Sequence, residues 1–237
     1  MTNDDKRVQV FLAQAGFGSR RFCEKLVLDK RVKINGRVAT LGDKANKDYD
    51  RIYVDDIEIN IADDTVYYLL NKPKNVVSTS KDPQRRTTII DLVPSSPRCF
   101  SVGRLDFDSE GLIILTNDGV LANQLSHPSK GVEKEYLVQL SKAPEIGVIR
   151  KFKKEIEIMP GVKVSAKVSL IDGSLLRFII HEGKNRQIRK MCEAVGLEVV
   201  RLVRIRIGPI TDSTLKPGMY RNLTAEEVNL LRSSTRP

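Results

Sequence analysis

The chain has 237 residues, 41% of them hydrophobic, only 5% aromatic and none Trp, with a formal net charge of +10. That length holds one or two domains with an adequate core, no apolar run approaches a membrane span, and the polar N-terminus lacks a secretory apolar stretch. Three scattered cysteines (Cys23, Cys99, Cys192) and two histidines (His127, His181) argue against a disulfide framework or a His/Cys zinc site, so the reading is a reduced, cytoplasmic protein with a polyanionic partner.

In chain order, residues 6–18 place Val8, Phe11, Leu12 and Ala15 at helical spacing, with Gly16 as the C-terminal stop. Ser19 reads as the N-cap of a second helix, Arg20 to Leu28. Val32-Lys33-Ile34 alternates as a strand, and Asn35-Gly36 is a strong hairpin signal. Residues 6–37 carry nine Lys/Arg against two acids, net +7, whereas residues 38–64 carry three against eight, net −5. Ile57 to Ile61 alternates as a closing strand, and Ala62-Asp63-Asp64 is a polar break. The boundary is set there, giving domains 1–62 and 63–237.

The larger domain opens with a strand at 66–70. Further strands are predicted at 76–79, 112–116, 135–140, 164–171, 175–181 and 199–207, with Asp172-Gly173 turning a hairpin. Helices are predicted at 119–126, 145–154, 185–195 and after Thr224, where Thr224 and Glu227 form a capping box. The fold class is α/β (α+β): a small N-terminal module, then a domain with a mixed, mostly antiparallel sheet flanked by helices. A second basic block, residues 184–206, has seven Lys/Arg against two acids, net +5. Two separated basic clusters suit a nucleic acid held at two places.

The chemistry concentrates at residues 103–119. Asp106, Asp108, Glu110 and Asp118 surround the apolar run Leu112 to Leu115, which reads as a buried strand closed by the Asn117-Asp118-Gly119 turn. Gly-Arg-Leu-Asp followed by Gly-Leu-Ile-Ile-Leu-Thr-Asn-Asp-Gly resembles the active-site motif of the ribosomal pseudouridine synthases. Asn71-Lys72-Pro73 resembles that family's first motif, with Asn75 at a glycine position that Asn can fill because it tolerates positive φ. Ser109 stands where the family usually has Thr. Residues His181 to Gly196 are the longest match and resemble the third motif as seen in synthases of the large ribosomal subunit. The front helices and hairpin resemble an S4 RNA-binding module, so the resemblance covers nearly the whole chain. It is to the RsuA/RluB group, most like its large-subunit (23S) B-type members.

What the resemblance implies is a site-specific isomerisation of uridine to pseudouridine in ribosomal RNA, most like 23S rRNA near the peptidyl-transferase region, with no cofactor and no metal. Asp106 would be the catalytic carboxylate, either attacking C1′ or removing a sugar proton. Either role needs the anion, and burial opposes it unless a cation sits nearby. Arg189 is favoured as that ion-pair partner, with Arg104 positioning RNA. Tyr136 would pack against the target base and Leu202 would close the slot. Lys72 would shape the cleft floor, and Lys184, Arg186 and Lys190 would face phosphate at a helix N-terminus. In the S4-like module, Arg20, Arg21, Lys25, Lys30, Arg31 and Lys33 would contact RNA backbone. The partner is then ribosomal RNA or a ribosome-assembly intermediate, with no membrane, and the protein is read as a monomer. A 16S rRNA synthase and a non-catalytic S4-type assembly protein are the alternatives. A hydrolase is disfavoured, because there is no Gly-x-Ser-x-Gly, catalytic His pair or metal cluster.

Overall fold

The computed structural model describes residues 5–59, 65–80 and 82–234. The chain divides into two compact units, Met1–Thr65 with Ser96–Arg98, and Val66–Ser95 with Cys99–Pro237. The expected boundary after residue 62 lies outside the described residues, as do Asn60 and Ile61 of the expected closing strand.

In the smaller unit, β1 (Lys6–Arg7) leads into α1 (Val8–Gln14), which ends where Gly16 takes a φ of 93° that a side chain would resist. The α2 helix (Arg20–Leu28) is capped as its sequence demands, the Ser19 hydroxyl accepting from the Phe22 amide at 3.2 Å. β2 (Val32–Ile34) and β3 (Arg37–Val38) turn through Asn35 and Gly36, both at positive φ, as a two-residue hairpin requires. β4 (Lys44–Ala45) pairs with β1, while β5 (Ile52–Val54) and β6 (Ile57–Glu58) complete an antiparallel sheet of order β3-β2-β5-β6. Phe11, Leu12, Cys23, Leu26, Val27, Val32 and Ile52 form its core.

The larger unit is built on β7 (Tyr67–Lys72), β8 (Phe100–Ser101), β9 (Glu110–Thr116), α3 (Gly119–Ser126), β10 (Lys134–Leu140), α4 (Ile146–Lys151), β11 (Ile156–Met159), β12 (Val162–Val164), β13 (Lys167–Asp172), β14 (Leu175–Ile180), α5 (Gln187–Glu193), β15 (Val199–Ile207), β16 (Ile210–Thr211), β17 (Tyr220–Asn222) and α6 (Ala225–Ser233). Its nine-stranded sheet runs β13-β14-β10-β15-β9-β7-β17, with β16 on β15 and β8 on β9. Every pairing is antiparallel except one: β15 meets β9 in parallel, Val203 beside Glu110 and Arg204 beside Gly111. Alternation along β9 fills both faces, Ile113 and Leu115 entering one apolar cluster and Leu112 and Ile114 the other. The α6 capping box forms as its sequence signals, with Thr224 and Glu227 each accepting from the other's amide.

Four expectations are corrected. Residues 76–79 are not a strand: Val77 makes one isolated bridge to Thr88, and the Ser78 hydroxyl is engaged by Leu105 instead of lying along a ladder. The stretch 164–171 is two strands, the end of β12 and most of β13, broken at Ser165-Ala166, where the Ala166 amide donates to Phe152. The helix expected at 145–154 is only α4. The helix expected at 185–195 is α5, shortened at its start because Arg186 sits at a φ of 51°.

Candidate active site

Asp106 lies in the turn ahead of β9, half-buried, on a loop whose backbone is tied down at almost every residue. The Ser78 hydroxyl donates to the Leu105 carbonyl at 2.7 Å and accepts from its amide at 3.1 Å. The Asn75 amide donates to Phe107 O at 2.9 Å, and Asn75 takes a φ of 63°, the conformation its first-motif position calls for. Lys72, at the end of β7, is fully buried and donates to the carbonyls of Pro73, Asp106 and Ser109 at 3.0, 3.1 and 2.7 Å. Burial pushes its ammonium down to about 8, against the pull of Asp106, Asp108 and Glu110. The loop is therefore rigid from behind, and the Asp106 side chain is the part left to project forward.

It projects into a cavity of about 240 Å³, smaller than pockets for drug-sized ligands and suited to a single planar base. Tyr136 from β10 and Leu202 from β15 enter the same cavity, as do Arg104, Ser109, Lys184 and Arg186. Tyr136 and Leu202 are each 6% exposed, presenting an edge rather than standing free. The residues expected to form the catalytic group come together except in one pairing. Arg189 does not meet Asp106: its Nε lies 3.2 Å from Asp108 Oδ2, and its Nη groups donate to the Asp108 and Val199 carbonyls. Among the described residues the Asp106 carboxylate has no ion-pair partner. Asp108, two residues on, takes the cation because the turn at 107–108 aims it at α5.

The charges expected to face phosphate are also redistributed. Arg186 forms a two-pronged pair with Asp108, 3.0 Å in both arms, and with Arg189 it holds that carboxyl below its usual range despite burial. Lys190 points away from the cavity to Met159 Sδ at 3.1 Å. Lys184 lies 3.4 Å from Glu182. Arg201 pairs with Glu110, and Arg206 with Glu133 and Glu135. Much of the basic block at 184–206 is thus neutralised by acids from β9 and β10. Lys72 is likewise no substrate ligand, since all three of its protons are spent on backbone carbonyls. With seven residues and a left-handed Arg186 before it, α5 offers no helix N-terminus to phosphate.

In the smaller unit, Arg31 pairs with Asp55 and Lys33 with Asp56, 2.6 Å for the latter. That leaves Arg20, Arg21, Lys25 and Lys30, all exposed, as the expected RNA contacts with no ion pair among the described residues. Phe22 and Leu28 are exposed on the same helix. Sequence reasoning missed Arg204, which is 2% exposed beneath Tyr136, and Gln187, a buried amide on the cavity wall. Arg204 hides in a run of arginines along β15, where only the strand register shows which one turns inward. Among the described residues no cluster of three or more His, Cys, Asp or Glu could hold a metal ion.

Against known proteins, residues 66–194 match the model of a family described as RNA pseudouridylate synthase, and residues 6–48 match an S4 domain. Ribosomal large subunit pseudouridine synthase B of Bacillus subtilis is 37% identical over 96% of this chain and 96% of that protein. The dual-specificity RNA pseudouridine synthase RluF of Salmonella typhi is 38% identical over 96% of this chain and 79% of its own length. A crystal structure of a pseudouridylate synthase matches with a TM-score of 0.70 at 30% identity, covering 95% of this chain and 99% of that one.

Proposed function

The chain belongs to the RNA pseudouridylate synthase family, and from that premise we propose that it isomerises one uridine of ribosomal RNA, with Asp106 as the catalytic carboxylate. The observation that carries the reading is the joint placement of Asp106, Tyr136 and Leu202 in one base-sized cavity, with the Asp106 loop fixed from behind. In the reaction the N1–C1′ bond of the uridine breaks, the base turns, C5 bonds to C1′, and the C5 proton is lost while N1 gains one. A carboxylate beside C1′ and an apolar slot that lets the base turn without leaving are the groups this needs. Tyr136 supports the ring edge-on, Leu202 closes the slot, and Arg104, exposed at the rim, holds the displaced strand. Arg189 acts one step removed, through Asp108, keeping α5 against the Asp106 loop.

We place the target in 23S rRNA near the peptidyl-transferase region, the likeness to the Bacillus subtilis large-subunit enzyme being the support. Residues 1–62 serve as the S4-type module that brings the enzyme to rRNA, with Arg20, Arg21, Lys25 and Lys30 on the backbone. The protein works in the cytoplasm as a monomer. The test is release of tritium from 23S or 16S rRNA transcripts carrying [5-³H]uridine, since each isomerisation expels the C5 hydrogen. The wild-type protein releases it from 23S transcripts; Asp106→Asn, isosteric and uncharged, releases none while binding the RNA within about 3-fold of wild type. Turnover by Asp106→Asn would remove Asp106 from its role, and release from 16S transcripts alone would move the target.

A further inference from the structure

Arg204 is the most anomalous charge in the larger unit. It is 2% exposed, yet no carboxylate pairs with it among the described residues. Its Nε donates to the Leu112 carbonyl at 2.6 Å, its Nη1 lies 3.5 Å from the Tyr136 hydroxyl, and its buried Nη2 has no hydrogen-bond partner. A buried guanidinium lacking a counter-ion costs several kcal/mol, so stability does not explain why it is there. Its charge instead adds to the burden on buried Lys72 and half-buried Lys134, helping desolvation push both down to about 8.

The placement is enforced. Tyr136 and Arg204 are direct cross-strand partners between β10 and β15, so their side chains share a face. On its other edge Arg204 pairs with Gly111, where an added Cβ would lie 2.2 Å from the Arg204 carbonyl oxygen and 2.5 Å from its nitrogen. Only glycine lets β9 and β15 approach that closely, and the approach fixes Arg204 beside Gly111, five residues along from Asp106.

A guanidinium has only donors. When it points at a phenol, the phenolic oxygen must accept, and the phenol's own proton is turned elsewhere. From these observations we infer that Arg204 is a positioning residue for the isomerisation: it fixes the hydrogen-bond polarity of Tyr136, so that the phenolic O–H is presented to the cavity as a donor. The inference rests on the synthase reading above and adds a direction to the tyrosine that the reading leaves unset. The donor so presented faces the space shared by Asp106 and the base, where it orients the carboxylate or a uracil carbonyl.

The test is a double-mutant cycle on the full chain, with Arg204→Met and Tyr136→Phe assayed singly and together for single-turnover tritium release from [5-³H]uridine 23S and 16S transcripts. Arg204→Met is expected to slow the step about 30-fold with RNA affinity kept within about 3-fold, and to cost less than about 3-fold once Tyr136 is Phe. Arg204→Gln, which keeps a neutral N–H donor, should recover part of the rate, and it replaces Arg204→Met in the cycle if that variant does not fold. Equal losses in the Tyr136 and Phe backgrounds would overturn the inference and leave the synthase reading standing. Absence of release by the wild-type protein from both transcripts would overturn the synthase reading itself, and the inference with it.

Discussion

Lys72 makes the site's rigidity measurable through pH. Below pH 8 its amine is charged in the folded and unfolded chains alike, and the native state bears the full cost of burying that charge. Between about 8 and the ordinary 10.5 the native amine has shed its proton while the unfolded one keeps it. The unfolded state then binds more protons, so stability rises with pH across this window. The whole linkage is worth about 3 kcal/mol, of which about 2 kcal/mol is recovered between pH 7 and pH 10. Replacing Lys72 by Met removes it, together with three hydrogen bonds to carbonyls worth about 1 kcal/mol each. At pH 7 the two effects oppose, leaving the variant within about 1–2 kcal/mol of wild type. Urea melts of both proteins from pH 7 to 10 provide the assay. The wild type should gain about 2 kcal/mol on the variant over that range. Parallel stability curves for the two proteins would show that the buried amine does not titrate there, and the account of Lys72 as a charge lowered by burial would fail.

Substituting Arg20, Arg21 and Lys25 by Ala should flatten the log-log salt dependence of RNA binding by roughly 0.7 per lost contact, about 1.4 to 2 in all, without slowing single turnover at saturation. An unchanged slope would remove α2 from the RNA surface. Arg186→Ala and Lys190→Ala, by contrast, should alter that slope by less than about 0.7 each, because the first is already paired to Asp108 and the second faces Met159. Gly111→Ala should destabilise the larger unit by about 3 kcal/mol or more, since the methyl meets backbone and the φ of 110° is itself costly; a thermal melt at the wild-type midpoint would show that β9 and β15 can part at little cost.

Features legible in the sequence were those whose partners are near neighbours. Ser19, Asn35-Gly36 and the Thr224–Glu227 box each act within a few residues, and the 199–207 strand was marked by its own apolar alternation. Asp106 was legible through its motif. Pairings across the fold were not. Whether Arg189 would reach Asp106 or Asp108 depends on how one turn aims two acids spaced two residues apart. The basic block at 184–206 looked like a phosphate surface because its neutralising acids, Glu110, Glu133 and Glu135, lie 71 to 91 residues away from their arginines. Arg204 and Arg206 stand two residues apart, where plain alternation would give them one face, and only the register shift opposite Glu135 and Tyr136 tells the inward guanidinium from the outward one. The short strands β8, β16 and β17, two or three residues each, carry too little pattern for any periodicity to register.

The single parallel seam has a consequence for how the enzyme comes into being. Strands on either side of it are assembled from antiparallel partners, β7 with β9 on one flank and β10 with β14 and β13 on the other. The seam itself joins groups as far apart as Arg204 and Leu112, 92 residues along the chain. Closing so long a loop carries a larger entropic cost than forming a hairpin, so the β13–β14 hairpin precedes the seam between β9 and β15. Asp106 arrives with one flank, Tyr136 with the other and Leu202 on the closing strand itself. A chain still being translated therefore lacks the cavity wall that Leu202 supplies until β15 has left the ribosome.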